Sequence, residues 1–203
     1  MWDERYSSER YAYGEEPNDF LVQQSATLTQ LQQPARVLCL ADGEGRNGVY
    51  LATLGHDITA VDLSSVGLAK AQALAKKNGV TITTVHADLA HYRPAAEQFD
   101  AVVMIFAHTP PDVRQLTFQR VRDTLVAGGV LILEGYTPDQ ISRATGGPKT
   151  PDMMFTLVEL QQQFGDFHWH CACEVVRDIR EGEFHTGAGA VVQFVAVKPP
   201  GAE

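Results

Sequence analysis

Gly43, Gly45 and Gly48 spell Gly-x-Gly-x-x-Gly shortly after an apolar run, Val37 to Leu40, and a carboxylate, Asp62, closes the next apolar run nineteen residues beyond Gly43. Those residue types at that spacing hold a nucleotide. Glycine reaches backbone angles closed to other residues and lets a ligand lie against the main chain, and the free amides of a helix start face it. A carboxylate at the tip of the following strand accepts both hydroxyls of a ribose, and the expected interval is about twenty residues. The spelling alone does not distinguish a nicotinamide cofactor from S-adenosylmethionine.

A second group of residues stands where an acceptor would lie. His108 follows the apolar run Phe99 to Phe106, at the carboxyl end of a strand, where ligands sit in open α/β sheets. It reads either as a wall side chain or as a residue that starts the next helix. Tyr136 follows the next apolar run and reads either as a wall group or as part of a turn, while Arg177 and His185 flank the final pair of strand-like runs, where position alone makes them solvated hairpin side chains. Imidazole and guanidinium groups suit an anionic or polarisable acceptor better than a cationic one. Cys39, on an apolar strand, reads as a small buried core residue rather than a nucleophile. His168 and His170 flank Trp169 without cysteine or carboxylate at ligand spacing, so no metal site is expected.

The elements that must position these groups follow from periodicity. Asn18 is placed as an N-cap, with Leu21, Ser25 and Leu28 on one helical face and Pro34 as the stop. A helix is expected from Arg46 to Leu54, and another after Ser64 or Ser65 with Lys76 and Lys77 in its last turn. Strands are expected at Val80–Val85, Phe99–Phe106 and Val130–Leu133, and a helix opened by Pro110 and Pro111. Another helix, with Met154, Leu157 and Val158 on one face, ends at Gly165. Only eight residues, Arg180 to Gly187, join the runs Phe167–Ile179 and Ala188–Lys198. Parallel strands need a crossover of a dozen or more, so this pair is an antiparallel hairpin. The fold class is α/β, a Rossmann-like seven-stranded sheet of six parallel strands and a last antiparallel one, with helices on both faces. Residues 1–203 form a single domain, with 1–34 an arm and helix acting as a lid and 35–198 the core.

Composition narrows the partners. The formal charge is −9 and no lysine and arginine cluster is present, which argues against nucleic acid and anionic membrane and favours a small molecule. No apolar run approaches a membrane span, and the polar N-terminal residues do not form a targeting segment. Three cysteines without paired spacing suit a reducing, cytoplasmic location.

Strand, acidic glycine turn, helix and a strand ending in Asp62, followed by His86-Ala87-Asp88-Leu89, resemble a class I S-adenosylmethionine-dependent methyltransferase. Gly-Glu-Gly-Arg-Asn and Gly-His-Asp-Ile-Thr-Ala-Val-Asp-Leu-Ser are similar in particular to its small tellurite-resistance-type branch. Cys39 and Ala41 stand where the family has an acidic residue and a glycine, so the carboxylate is displaced along the turn to Asp42. The resemblance implies S-adenosyl-L-methionine as cofactor, held by Tyr11, Asp42, Gly43, Gly45, Asn47, Asp62, Leu63, Asp88, Leu89 and Phe106. It implies His108, Arg177 and His185 as catalytic residues, and an aromatic N-terminal arm that closes over the cofactor through Tyr11 or Tyr13. The expected activity is methyl transfer to a soft or anionic small molecule, a thiol or a chalcogen oxyanion. The alternatives are an NAD(P)-dependent oxidoreductase, for which no Tyr-x-x-x-Lys pair is found, and a non-catalytic S-adenosylmethionine-binding protein.

Overall fold

The structure is a computed structural model that describes residues 2–143 and 145–201. Its centre is a seven-stranded sheet: β1 (Arg36–Leu40), β2 (Asp57–Asp62), β3 (Thr83–His86), β4 (Phe99–Ile105), β5 (Leu125–Tyr136), β6 (His168–Glu181) and β7 (His185–Val197). The spatial order is β3-β2-β1-β4-β5-β7-β6. β1 to β5 pair in parallel, and β7 runs antiparallel to both β5 and β6, so β1 to β6 share one direction and β7 opposes them. The sheet is the expected one.

Alternation along each strand divides the core in two. Val37, Cys39, Ala60, Ala101, Val103 and Ile132 pack against α2 (Asp19–Gln24), α3 (Arg46–Thr53) and α4 (Ser65–Lys77). Leu38, Leu40, Val102, Met104, Leu131 and Leu133 pack the opposite way, against α5 (Pro111–Thr124) and α6 (Leu157–Gln163). Both faces of the strands are covered, which is why the runs read as continuous apolar stretches rather than alternating ones. Asn18 caps α2 by accepting from the Leu21 amide at 2.9 Å, and Ser64 caps α4 by accepting from the Gly67 amide at 3.0 Å.

Several expectations need correction. The helix after Asn18 is α-helical only to Gln24 and continues as a 3-10 segment to Gln30. The arm contains a short helix, α1 (Trp2–Arg5), that no periodicity announced. Met154 precedes α6 rather than joining it, and Val158 is 62% exposed, so the buried face is carried by Leu160 with Phe164 just beyond. The hairpin runs further than the apolar pattern: its strands pair to Glu181 and His185 and leave a three-residue turn. Charged residues extend the ladder there because their partners lie across it and above it.

At the carboxyl ends of β1 and β4, where the strand order reverses direction, Ala41 (φ 53°) and Phe106 (φ 52°) are left-handed although neither is glycine. Strain of this kind persists only where the surroundings hold it. Beside Phe106, Gly135 of β5 leaves room for the Phe155 ring, and a Cβ there would meet ring carbons at 2.4 and 2.6 Å. Gly135→Ala is expected to overpack this position and lower stability by about 1–3 kcal/mol. Urea unfolding reads it, and an unchanged midpoint would contradict it.

Candidate functional site

The glycine turn joins β1 to α3. Gly43 (φ 58°) and Gly45 (φ 85°) are both left-handed. Their needs differ. A Cβ on Gly45 would meet the Ala71 Cβ at 2.5 Å, so Gly45 serves the close packing of α3 on α4. A Cβ on Gly43 would meet the hydroxyl of Tyr6 at 2.7 Å, and one on Gly67 the ring of Tyr6 at 3.0 Å. Tyr6 of the arm therefore lies directly over the turn, buried, and burial next to Asp62 raises its pKa.

Asp62 faces this turn from the tip of β2. Its carboxylate accepts from the Gly43 amide at 2.8 Å and from the Ser64 amide at 2.8 Å. Burial nevertheless pushes its pKa up, against those amides. Asp42 is buried beside it and accepts from the Gly48 amide at the start of α3, at 3.3 Å to each oxygen. Burial, with Asp62 adding to it, raises Asp42 to about 7. The displaced carboxylate thus holds the first turn of α3.

The other expected cofactor residues fall in different places. Leu63 is 52% exposed at the rim beyond Asp62. Asp88 is exposed and accepts from the Ala90 amide at 2.8 Å, while the Leu89 side chain packs into the core. Asn47 is buried, and its Oδ1 accepts from the Asn18 amide at 2.9 Å, which ties α3 to the start of α2. Tyr11 does not cover the turn: its hydroxyl donates to the Lys70 carbonyl of α4 at 3.2 Å. Tyr6 takes the place expected of it, and Tyr13 packs at a tilt with its ring 4.6 Å from the His185 ring.

The three wall residues also differ. His108 is sealed in; its Nε2 accepts from the Tyr136 amide at 3.1 Å and its Nδ1 donates to the Met153 carbonyl at 2.9 Å. Burial depresses its pKa to about 3. Both nitrogens are engaged by main chain, so His108 fixes the loops around the site and does not present a nitrogen to an acceptor. Arg177 is not a solvated hairpin side chain. Its guanidinium donates to Glu134 at 3.0 and 2.6 Å and to Glu181 at 3.2 Å. His185 is buried among Tyr13, Phe106 and Tyr136, with ring centroids 4.6, 4.6 and 5.2 Å away.

Behind His185 lies a polar cluster whose full membership was not foreseen. Glu134, wholly buried on β5, also accepts from Asn18 Nδ2 at 2.8 Å and from Gln193 Nε2 at 2.6 Å. Glu181 accepts from the same Asn18 nitrogen at 2.7 Å and from Arg46 at 2.6 Å. The signal was present in the sequence: a glutamate ending the apolar run Val-Leu-Ile-Leu is buried only if it is paired. Glu44 was missed too; it accepts from the Ala12 amide at 2.7 Å and pairs with Lys70, which straps the arm to the turn. Among the described residues, no group of three or more His, Cys, Asp or Glu is placed to hold a metal, and no helix is long and apolar enough to cross a membrane.

Comparison with known proteins agrees with this layout. Residues 37–129 match the model of a family described as a methyltransferase domain. An uncharacterized methyltransferase of Bacillus subtilis, YbaJ, is 39% identical over 71 residues, which is 34% of this chain and 27% of that protein. The match thus spans about a quarter of the relative's length. Among solved structures, TehB of Haemophilus influenzae superposes with a TM-score of 0.72 at 18% identity, covering 97% of this chain and 65% of that one. A structure described as the conversion of a disulfide bond into a thioacetal group during echinomycin biosynthesis has a TM-score of 0.76 at 16% identity, covering 100% and 92%. At such identities the likeness is one of fold.

Asp42 carries a pH signature. Its folded pKa lies above the ordinary carboxylate value of 3.8, so the folded state retains a proton that the unfolded state has released. Its contribution to stability is full below 3.8 and is lost as pH rises to about 7. Asp42→Asn, which keeps an acceptor for Gly48, should flatten the decline in urea midpoint across that window. Parallel wild-type and variant profiles would contradict this assignment.

Proposed function

We propose that the chain is an S-adenosylmethionine-dependent methyltransferase acting on a small molecule, with a soft nucleophile, a thiol or a chalcogen oxyanion, as acceptor. The observation that carries the reading is Asp62, a buried carboxylate at the tip of β2 that faces a left-handed glycine turn in a sheet closed by an antiparallel hairpin. The methyltransferase-domain match spans this turn. The tellurite-resistance-type branch is the narrower form of the proposal, resting on the resemblance of the turn and second strand. A reducing, cytoplasmic setting, suggested by the unpaired cysteines, belongs to the proposal as well.

The residues present fit the cofactor chemically. Asp62 would take the ribose hydroxyls, the Gly43 backbone the adjoining chain, and Leu63, Asp88 and the main chain at Leu89 the adenine end. Tyr6 already sets a hydroxyl against Gly43, so cofactor entry requires that ring to move, which makes the arm a lid. When bound, the cofactor supplies an electrophilic methyl group on a sulfonium. The protein's part is chiefly positioning and exclusion of water. Phe106, Tyr13 and His185 line the place next to the turn where an acceptor would be held.

Loss of a charge-assisted contact costs about 1.5–3 kcal/mol, so Asp62→Ala should weaken binding of S-adenosylhomocysteine by roughly ten- to a hundredfold in calorimetry. Tight binding of NAD with none of the adenosyl ligands would instead favour the oxidoreductase reading.

A further inference from the structure

The buried charges behind His185 cancel. Glu134 and Glu181 are matched by Arg46 and Arg177, all with side-chain exposure of 16% or less. An anion arriving at His185 therefore meets no net buried positive charge. Arg5, a further cation beside the ring, is exposed on the arm; it lies 5.4 Å from the Trp2 ring and 4.7 Å from the Phe184 ring and donates to the Tyr13 hydroxyl at 2.9 Å. Water screens a charge in that position. Removing an oxyanion from water is costly, and a neutral buried cluster and a rim guanidinium do not offset it.

The same cluster prepares His185 for a different acceptor. Its Nδ1 is buried, makes no hydrogen bond, and points at Glu181 Oε2 3.7 Å away. That distance is just beyond hydrogen-bond reach, and catalytic contacts are often long before a ligand closes the site. A nitrogen facing a carboxylate keeps its proton, which leaves the Nε2 lone pair free. The hydroxyl of Tyr136, beside this ring and fully buried, is also without a partner. An orphaned hydroxyl beside a free imidazole lone pair, within an aromatic enclosure, suits an uncharged ligand with an apolar body and a polar, protic end.

We propose, resting on the methyltransferase reading above, that the acceptor is a neutral thiol with an apolar body, that His185 Nε2 removes its proton, and that Glu181 is the positioning residue that keeps Nδ1 protonated. The thiol proton passes to Nε2. The thiolate lone pair bonds the methyl carbon as the donor's carbon–sulfur bond breaks, with the electron pair left on the donor sulfur, and His185 returns the proton to solvent. Burial holds the imidazole neutral, against the pull of Glu181, so it can act as a base. The charged and titratable groups that face it are Glu181, Arg46, Arg5, His108, Tyr13 and Tyr136. Glu181 itself is pulled down to about 2, because His185 and Arg46 outweigh its burial, and it stays ionised.

The test begins with nitrogen-15 NMR of His185 in the full-length protein without ligand. An Nδ1–H tautomer is expected, and an Nε2–H tautomer overturns the proposal. Adenosylhomocysteine formation is then measured with benzyl mercaptan, selenite and tellurite. The thiol should be turned over at least about a hundredfold faster than either oxyanion, the range of general-base assistance. Glu181→Gln should lower kcat/KM for the thiol at neutral pH, and the loss should close as pH rises past the pKa of the thiol itself, where it ionises unaided. Oxyanions methylated as fast as the thiol, or a Glu181→Gln loss that does not change with pH, would overturn it. Cofactor binding in calorimetry without thiol turnover refutes this inference alone, whereas absence of cofactor binding refutes the methyltransferase reading beneath it.

Discussion

The structure depends on one buried set of ionic hydrogen bonds. Asn18 Nδ2 donates to both Glu134 and Glu181, Arg177 to both carboxylates, and Arg46 to Glu181. Five segments meet there: the start of α2, the first turn of α3, the end of β5, and both strands of the hairpin, β7 through Gln193. Removing one partner from such a set leaves an uncompensated charge, a cost of about 3–5 kcal/mol. The cluster therefore fixes how the hairpin, the glycine turn and the arm sit relative to one another.

That constraint explains the site's layout. Because Arg46 lies one residue past Gly45, the cluster reaches the glycine turn directly. Because Glu181 and His185 face each other at the end of the ladder, it reaches the acceptor wall as well. The arm bridges the two: the Ala12 carbonyl accepts from the Glu183 amide at 3.1 Å, while the Ala12 amide donates to Glu44 of the turn. Tyr6, Tyr13 and His185 form a continuous aromatic path from Gly43 to the wall, with ring centroids 6.4 and 4.6 Å apart. The same arm thus covers both the glycine turn and His185.

The sheet was legible in the sequence because strands buried on both faces are written as unbroken apolar runs, and because eight residues cannot carry a parallel crossover. The turn and Asp62 were legible because glycine and carboxylate spacing has a local cause. Less legible were contacts between distant residues. The resemblance pointed to Tyr11 or Tyr13 as the cover, and only packing against Gly43 and Gly67 selects Tyr6. His108 follows a strand as a wall residue would, yet its ring faces the Tyr136 amide and the Met153 carbonyl, residues 28 and 45 positions away. For Arg177 the sequence left a wall group and a solvated hairpin side chain both open, and neither reading found Glu134, because nothing adjacent announces it.

The central claim is that the glycine turn is a cofactor seat which Tyr6 covers. A crystal structure of the protein grown with S-adenosylhomocysteine tests it most directly. The account predicts the ribose hydroxyls at Asp62 and the Tyr6 hydroxyl displaced from Gly43, with the Glu134–Arg177–Glu181 contacts intact. A structure with the ligand bound elsewhere, or with Tyr6 unmoved over an unoccupied turn at saturating ligand, would contradict it.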